Sequence, residues 1–227
     1  MKQFLNDITE YIVWDEDKQK YFFLNNIKKL NFYNEVLFNE LNSDNELQIL
    51  STQDVLTKYF PYINNINNNI IKNSLKKSSC IKNIIFESIS QKKTQKIFLL
   101  NSNCKNIIHI NAAKRYITEI NKFCYKHNIY NIYFDKIFLY LKNNKKIITH
   151  IDLLLKNAEE WFQIEIKTSR VNYKEKYNAN LFLNKKIIEN ANEIKIKNSY
   201  FLNIFEHQVI FEYEKISTKL THKLLND

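Results

Sequence analysis

The most constraining feature of this 227-residue chain is that it contains no glycine and a single proline, Pro61. Glycine-rich phosphate loops of the P-loop and dinucleotide-binding kinds, and the EF-hand calcium loop, need backbone geometry that only glycine adopts at little cost. The sequence therefore excludes these nucleotide and calcium sites. Asparagine tolerates left-handed backbone better than other residues with a Cβ, and we expect it to replace glycine at turns and helix ends.

The net charge of +10 favours a polyanionic partner, because positive charge attracts phosphate backbones whatever its evolutionary origin. An A·T-rich genome would also produce a lysine-rich chain through its codons, so the charge alone leaves nucleic-acid binding open. The side chains that we expect to contact DNA phosphates are Lys76, Lys77, Arg115, Arg170 and Lys174.

The three cysteines, Cys80, Cys104 and Cys124, are odd in number and form no C-x-x-C pair. Their spacing therefore predicts neither a disulfide framework nor a thiolate zinc site. The amino terminus carries Asp7 and Glu10 where a signal peptide has its apolar core, and no stretch approaches the roughly 18 apolar residues of a membrane span. We expect a cytoplasmic protein that does not interact with membranes.

Hydrophobic periodicity predicts a mainly helical first half and a mixed second half. Short amphipathic helices are expected up to about residue 50, and a hairpin over 81–110. A helix is expected over 112–127, bracketed by Asn111 and Asn128 as caps. The remaining expected elements are strands at 132–141, 147–155 and 161–169, a helix over roughly 174–197, and a strand at 200–214. From residue 112 the order is helix, three strands, helix, strand.

Acidic residues interrupt two of the expected strands. Alternation predicts that Ile151, Leu153 and Leu155 share an apolar face and that Asp152 lies on the opposite face, with His150 and Leu154. On the next strand, Phe162, Ile164 and Ile166 share one face, and Gln163, Glu165 and Lys167 share the other. A tight turn over 157–160 would place Asp152 directly opposite Glu165, close enough for both carboxylates to bind one divalent cation.

This pattern, an Asp at the end of one hairpin strand and Glu-x-Lys on the next, resembles the signature of the PD-(D/E)xK nuclease superfamily. The order of helix, three-stranded meander, helix and strand also resembles the core of that superfamily. The resemblance implies an α/β, restriction-endonuclease-like fold and Mg²⁺-dependent hydrolysis of phosphodiester bonds, with Mn²⁺ as a substitute metal. Asp152 and Glu165 would bind the metal, and Lys167 would position or activate the attacking water. Glu119, on the helix before the meander, matches an additional metal-binding acid.

The resemblance covers about 100 residues and has two departures. Ile151 stands where the family often has proline, and no Gln-x-x-x-Tyr follows Lys167, as the RecB-like branch would require. Acid-x-Lys triplets also occur at 16–18 and 193–195, but only the triplet at 165–167 lies on a strand that a turn connects to an acid-bearing one. The alternative interpretation is that these charges form a solvated, salt-bridged face.

The function expected from this resemblance is a type II restriction endonuclease, a homodimer that cuts double-stranded DNA. Residues 1–110 would form a mainly helical recognition or dimerisation region, and residues 111–227 would form the catalytic core. Two alternatives remain open: a repair, junction-resolving or transposon-encoded nuclease, and a non-catalytic nucleic-acid-binding protein. Arginine occurs only at positions 115 and 170, so we expect a target dominated by A·T pairs. The roles of His150 and Asp135 stay open.

Overall fold

The computed structural model describes residues 4, 7–15, 20–23, 50–61, 67–92, 96–100, 104–142, 145–169, 174–192, 194–205, 209–212 and 216–226. The strands in these ranges are Ile12–Asp15 (β1), Lys20–Phe23 (β2), Leu50–Ser51 (β3), Asn131–Lys142 (β4), Lys145–Lys156 (β5), Trp161–Ile166 (β6), Ile196–Leu202 (β7) and Ile210–Glu212 (β8). The helices are Thr52–Tyr59 (α1), Asn68–Ser90 (α2), Ile107–Lys126 (α3), Lys174–Ala191 (α4) and Thr218–Asn226 (α5). None of the described helices is both long and apolar enough to cross a lipid bilayer.

A mixed six-stranded sheet forms the centre of the fold. Strand β5 pairs antiparallel with β4 and β6 and parallel with β3, while β7 pairs parallel with β6 and antiparallel with β8. Strands β1 and β2 form a separate antiparallel pair. The long crossover that joins the parallel strands β6 and β7 contains helix α4, as parallel pairing requires.

The predicted order of helix, three strands, helix and strand is confirmed by α3, β4, β5, β6, α4 and β7. The expected caps of α3 are only partly right, because Asn111 lies inside the helix. Helix α3 begins at Ile107, five residues before the expected start, and the side chain of Asn106 accepts hydrogen bonds from the backbone N–H groups of Ile108 and His109. At its other end Asn128 has a φ of 51°, so asparagine does occupy a left-handed position beyond a helix.

Three predictions about secondary structure are wrong. The hairpin expected over 81–110 is excluded, because α2 continues to Ser90 and buries Ile81, Ile84 and Ile85 at helical spacing. Residues 12–15 and 20–23 form strands instead of helix. The helix expected over 174–197 ends at Ala191, and the strand expected over 200–214 is two strands, β7 and β8.

Helices cover both faces of the sheet and form two apolar clusters. The first cluster joins α2 and α3 to the sheet and includes Ile81, Ile120, Leu153, Leu155 and Ile164. The second joins α1 and α4 to the sheet and includes Leu56, Phe138, Ile151, Leu154 and Ile188. Because α2 packs in the first cluster, residues on both sides of the expected boundary at 110 share one core.

The predicted faces of β5 need a correction at Asp152. Ile151 and Leu153 should share a face, but Ile151 packs in the second cluster and Leu153 in the first. Regular alternation is therefore broken between these two residues. On the neighbouring strand, Asp135 lies at the same level of the ladder and has a left-handed φ of 51°. Asp152 therefore lies where the regular pairing of β4 with β5, the longest strand pair, is interrupted.

We expect Phe138→Ala to destabilise the protein by about 3–5 kcal/mol, because it leaves a cavity at a fully buried position of β4. The matched control is Phe98→Ala, since Phe98 is 60% exposed; its free energy of unfolding should change by roughly 0.5 kcal/mol or less. Urea denaturation followed by circular dichroism measures both values. Equal losses in the two variants would contradict the packing described for β4.

Candidate functional site

The hairpin of β5 and β6 has the predicted register. The paired residues are Leu153–Ile164, Leu154–Gln163, Leu155–Phe162 and Lys156–Trp161, and the ladder ends one step before Asp152 and Glu165. The turn is set by Asn157, whose N–H donates to the carbonyl of Glu160 over 3.1 Å and whose Oδ1 accepts from the N–H groups of Glu159 and Glu160. This side-chain capping holds the four-residue turn and with it the register.

Asp152 is fully buried and both of its oxygens have partners. Oδ1 lies 2.7 Å from Nζ of Lys82 on α2, and Oδ2 accepts a 2.8 Å hydrogen bond from the N–H of Ile166. Burial by itself would raise the pKa of Asp152, but the charges of Lys82 and His150 outweigh it and hold the pKa below its usual value. The carboxylate is therefore charged at neutral pH.

Lys82 is correspondingly a charged lysine. Its side chain is 19% exposed, and burial by itself would lower its pKa. The charges of Asp152 and Glu165 act in the opposite direction and raise the pKa above the usual value. Sequence analysis missed this residue, because a single lysine in an amphipathic helix gives no indication of a partner seventy positions away.

Glu165 is less completely satisfied than Asp152. Its Oε1 lies 3.2 Å from Nζ of Lys167, whereas its Oε2 is buried and has no hydrogen-bond partner. The Lys167 ammonium also lies 4.8 Å from the ring centroid of Tyr177 on α4. Both acid and lysine are largely buried, with side-chain exposures of 8% and 16%. One buried carboxylate oxygen thus remains available as an acceptor on the side chain that binds the Lys167 ammonium.

Hydrogen bonds from several elements fix the backbone that carries Lys167. Its carbonyl accepts a 2.6 Å bond from the hydroxyl of Tyr116 on α3, and its N–H donates over 2.9 Å to the carbonyl of Leu202 on β7. The next carbonyl, that of Thr168, accepts from Nζ of Lys77 on α2 at 3.0 Å. Burial raises the pKa of Tyr116, so its phenol keeps the proton that it donates.

His150 and Asp135 form an ion pair at the edge of this group. The His150 Nε2 lies 2.6 Å from Oδ1 of Asp135. Burial would lower the pKa of His150, but the hydrogen bond to Asp135 and the charge of Asp152 outweigh it and raise the pKa. In its protonated form, which these groups favour, His150 adds positive charge near Asp152.

Glu119, the expected third acid, does not form a metal-binding group with Asp152 and Glu165. In such a group one carboxylate oxygen from each residue would lie within 4.8 Å of the other two. The Oε1 of Glu119 instead lies 2.7 Å from Nζ of Lys122, one turn further along α3. Arg115, four residues before Glu119 on the same helix, donates from its guanidinium to the carbonyl of Ile204 over 3.0 Å.

The residues expected to contact DNA differ in their surroundings. Lys76 and Lys174 are exposed on α2 and α4, and Arg115 and Lys77 bind main-chain carbonyls. Arg170 lies outside the described residues. Lys176 on α4 lies close enough to Lys167 for the two charges to interact. Burial and the charge of Lys167 both lower the pKa of Lys176.

A second group of side chains, which carries atoms able to bind a metal ion, was not predicted. The sulfurs of Cys80 and Cys104 and a ring nitrogen of His109 all lie within 4.8 Å of one another, the one such group of three that the described part of the chain contains. Burial and the neighbouring Cys104 thiol raise the pKa of Cys80 to about 11. The spacing of the three residues in sequence has no metal-site pattern, so only the packing of α2 against the start of α3 reveals the group.

Comparison with known proteins leaves this chain without an assigned family. No family model matches it, and no curated protein matches it. Among solved structures, the crystal structure of SSO0001 aligns with 85% of this chain and 82% of its own length, at 12% identity and a TM-score of 0.38. A likeness at this TM-score supports no conclusion about fold or function.

We expect Lys82→Met to destabilise the protein by about 3–5 kcal/mol, because it leaves the buried Asp152 carboxylate without its cation. Adding Asp152→Asn should restore about 1–3 kcal/mol of that loss, since a neutral amide is less costly to bury. Lys72→Met, an exposed change on the same helix, is the matched control and should have little effect. Strictly additive losses in the double variant would contradict the ion pair.

Proposed function

We propose that the chain is a divalent-metal-dependent endonuclease that hydrolyses phosphodiester bonds in double-stranded DNA. The observation that carries the proposal is the Oε2 atom of Glu165, a buried carboxylate oxygen without a partner on the strand beside Asp152. Such an atom is costly to bury unless a bound group compensates it. The irregular, acid-bearing position on β5 and the neighbouring Lys167 further support a site for phosphoryl chemistry.

The residues present fit a hard divalent cation. Carboxylate oxygens are the ligands that Mg²⁺ prefers, and Mn²⁺ accepts the same donors. Asp152 and Glu165 would hold the ion, with Glu119 as a further acid only if α3 or its side chain moves. A bound ion of this kind polarises the scissile phosphate and lowers the pKa of a coordinated water.

The chain's own lysines provide the remaining charge. Lys167 is held by Glu165 and by the ring of Tyr177, so its ammonium is oriented before substrate arrives. In this proposal it positions the attacking water and neutralises negative charge that accumulates on the phosphate in the transition state. Lys82 keeps Asp152 ionised, which the metal-binding role of that carboxylate requires.

One observation favours the non-catalytic alternative. Asp152 already has a partner for each oxygen, the Lys82 ammonium and the Ile166 N–H. A carboxylate satisfied in this way is also what a purely structural ion pair would show. In that case the protein would bind nucleic acid through its basic surface, and the acids would only join α2 to the sheet.

Within the nuclease proposal we favour a type II restriction enzyme with the restriction-endonuclease core, acting in the cytoplasm as a homodimer. Two copies would supply the two active sites that cutting both strands requires. Discrete fragments from a plasmid digest favour this kind of enzyme, whereas a smear favours a repair, junction-resolving or transposon-encoded nuclease.

The expected target remains dominated by A·T pairs. Arginine is the usual bidentate partner of guanine, and one of the two arginines, Arg115, donates to a main-chain carbonyl of its own protein. Sequencing the ends of digestion fragments tests this expectation, and a site composed mainly of G·C pairs would refute it.

The decisive experiment is plasmid cleavage in Mg²⁺ by the full chain and by two isosteric variants. Glu165→Gln removes a metal-binding charge and Lys167→Met removes the ammonium, so each should lower the cleavage rate by at least about 100-fold. DNA binding measured without metal should change little in either variant, because neither substitution alters the exposed basic surface. Initial rates on supercoiled plasmid provide the measurement.

Matched controls carry the same substitutions outside the site. Glu159→Gln lies in the exposed turn of the same hairpin, and Lys195→Met is an exposed change before β7. Both should cleave at the rate of the unaltered chain. Full activity in Glu165→Gln would contradict the assignment of the site, whereas DNA binding without any metal-dependent cleavage in the unaltered chain would support the non-catalytic alternative.

A further inference from the structure

Cys80, Cys104 and His109 come from three parts of the chain that packing brings together. Cys80 lies on α2, Cys104 precedes α3, and His109 lies in the first turn of α3. Their ligand atoms lie within 4.8 Å of one another. In a tetrahedral zinc site with Zn–S bonds of about 2.3 Å, two sulfurs are about 3.8 Å apart, so only a small contraction separates this group from ligand geometry.

Each thiol could also be explained as a small apolar side chain, since Cys80 and Cys104 both pack against the first apolar cluster. His109 distinguishes this group from ordinary packing. Its Nδ1 is buried and has no hydrogen-bond partner, although buried imidazole nitrogens normally have one. A buried acceptor nitrogen of this kind beside two thiols favours the binding of a cation.

We propose that Cys80, Cys104 and His109 form a zinc site, separate from the carboxylate site, that ties α2 to the beginning of α3. Two sulfur donors and one imidazole are a soft donor set that suits Zn²⁺ and does not suit Mg²⁺. On binding, each thiol releases one proton to solvent and His109 contributes a neutral nitrogen lone pair. A water molecule completes the tetrahedron around the ion.

The position of the site gives it a structural role. Cys80 is two residues from Lys82 on α2, and the beginning of α3 leads to Tyr116, so the ion would join the two helices that contact the carboxylate strands. Binding to the folded state alone stabilises that state by mass action. We therefore expect the melting temperature to rise with added Zn²⁺ and to fall after chelation.

The test is metal binding by the reduced, full-length chain, with Co²⁺ as a spectroscopic probe. We expect one Co²⁺ per chain with a thiolate-to-cobalt charge-transfer band, displaced by Zn²⁺ but not by excess Mg²⁺. Cys80→Ala, Cys104→Ala and His109→Ala should each weaken binding by more than about tenfold. Cys124→Ala is the matched control, because Cys124 is outside the group and should bind normally.

Three results would overturn the proposal. The first is a reduced, unaltered chain without the charge-transfer band, which needs no variant to fold. The second is a Cys80–Cys104 disulfide whose reduction produces no metal uptake. The third is equal binding by Cys80→Ala and Cys124→Ala. Glu165→Gln should keep the Co²⁺ band, so failure of the nuclease proposal and failure of the zinc site are distinguishable.

Discussion

The ion pair between Lys82 and Asp152 is the interaction on which the arrangement of this fold depends. A carboxylate with no solvent exposure at the centre of a sheet loses its hydration, and neither packing nor a single backbone N–H restores that free energy. The ammonium of Lys82 does, at 2.7 Å, and it ties α2 to β5. Any function of Asp152 must therefore accommodate a lysine from the other half of the chain.

The end of β6 is the second constraint, because it carries Glu165 and Lys167 into the space between the sheet and α4. The main-chain groups of Lys167 and Thr168, directly after β6, bind Tyr116 on α3, Lys77 on α2 and Leu202 on β7. Two helices and a neighbouring strand therefore position the main chain that carries these two ionisable side chains. Such preorganisation is what electrostatic catalysis needs, and it would be an unusual use of hydrogen bonds for a solvated salt-bridged face.

Helix α2 links the two chemically distinct groups. Lys82 faces hard carboxylate oxygens, while Cys80, two residues earlier, lies beside a thiol and an imidazole. Hard and soft donors select different cations, so the two groups would not compete for one ion. The first half of the chain is therefore part of the proposed chemistry as well as a candidate recognition region.

The sequence by itself determined the order of elements from α3 to β7 and the register of the β5–β6 hairpin. These features are local, since period-2 alternation, a four-residue turn and Asn157 are all readable within a short segment. The sequence did not determine the reversal of faces at Asp152, the partner Lys82, or the group of Cys80, Cys104 and His109. Only the tertiary structure decided these, because each depends on contacts between residues far apart in the chain, which no local periodicity encodes.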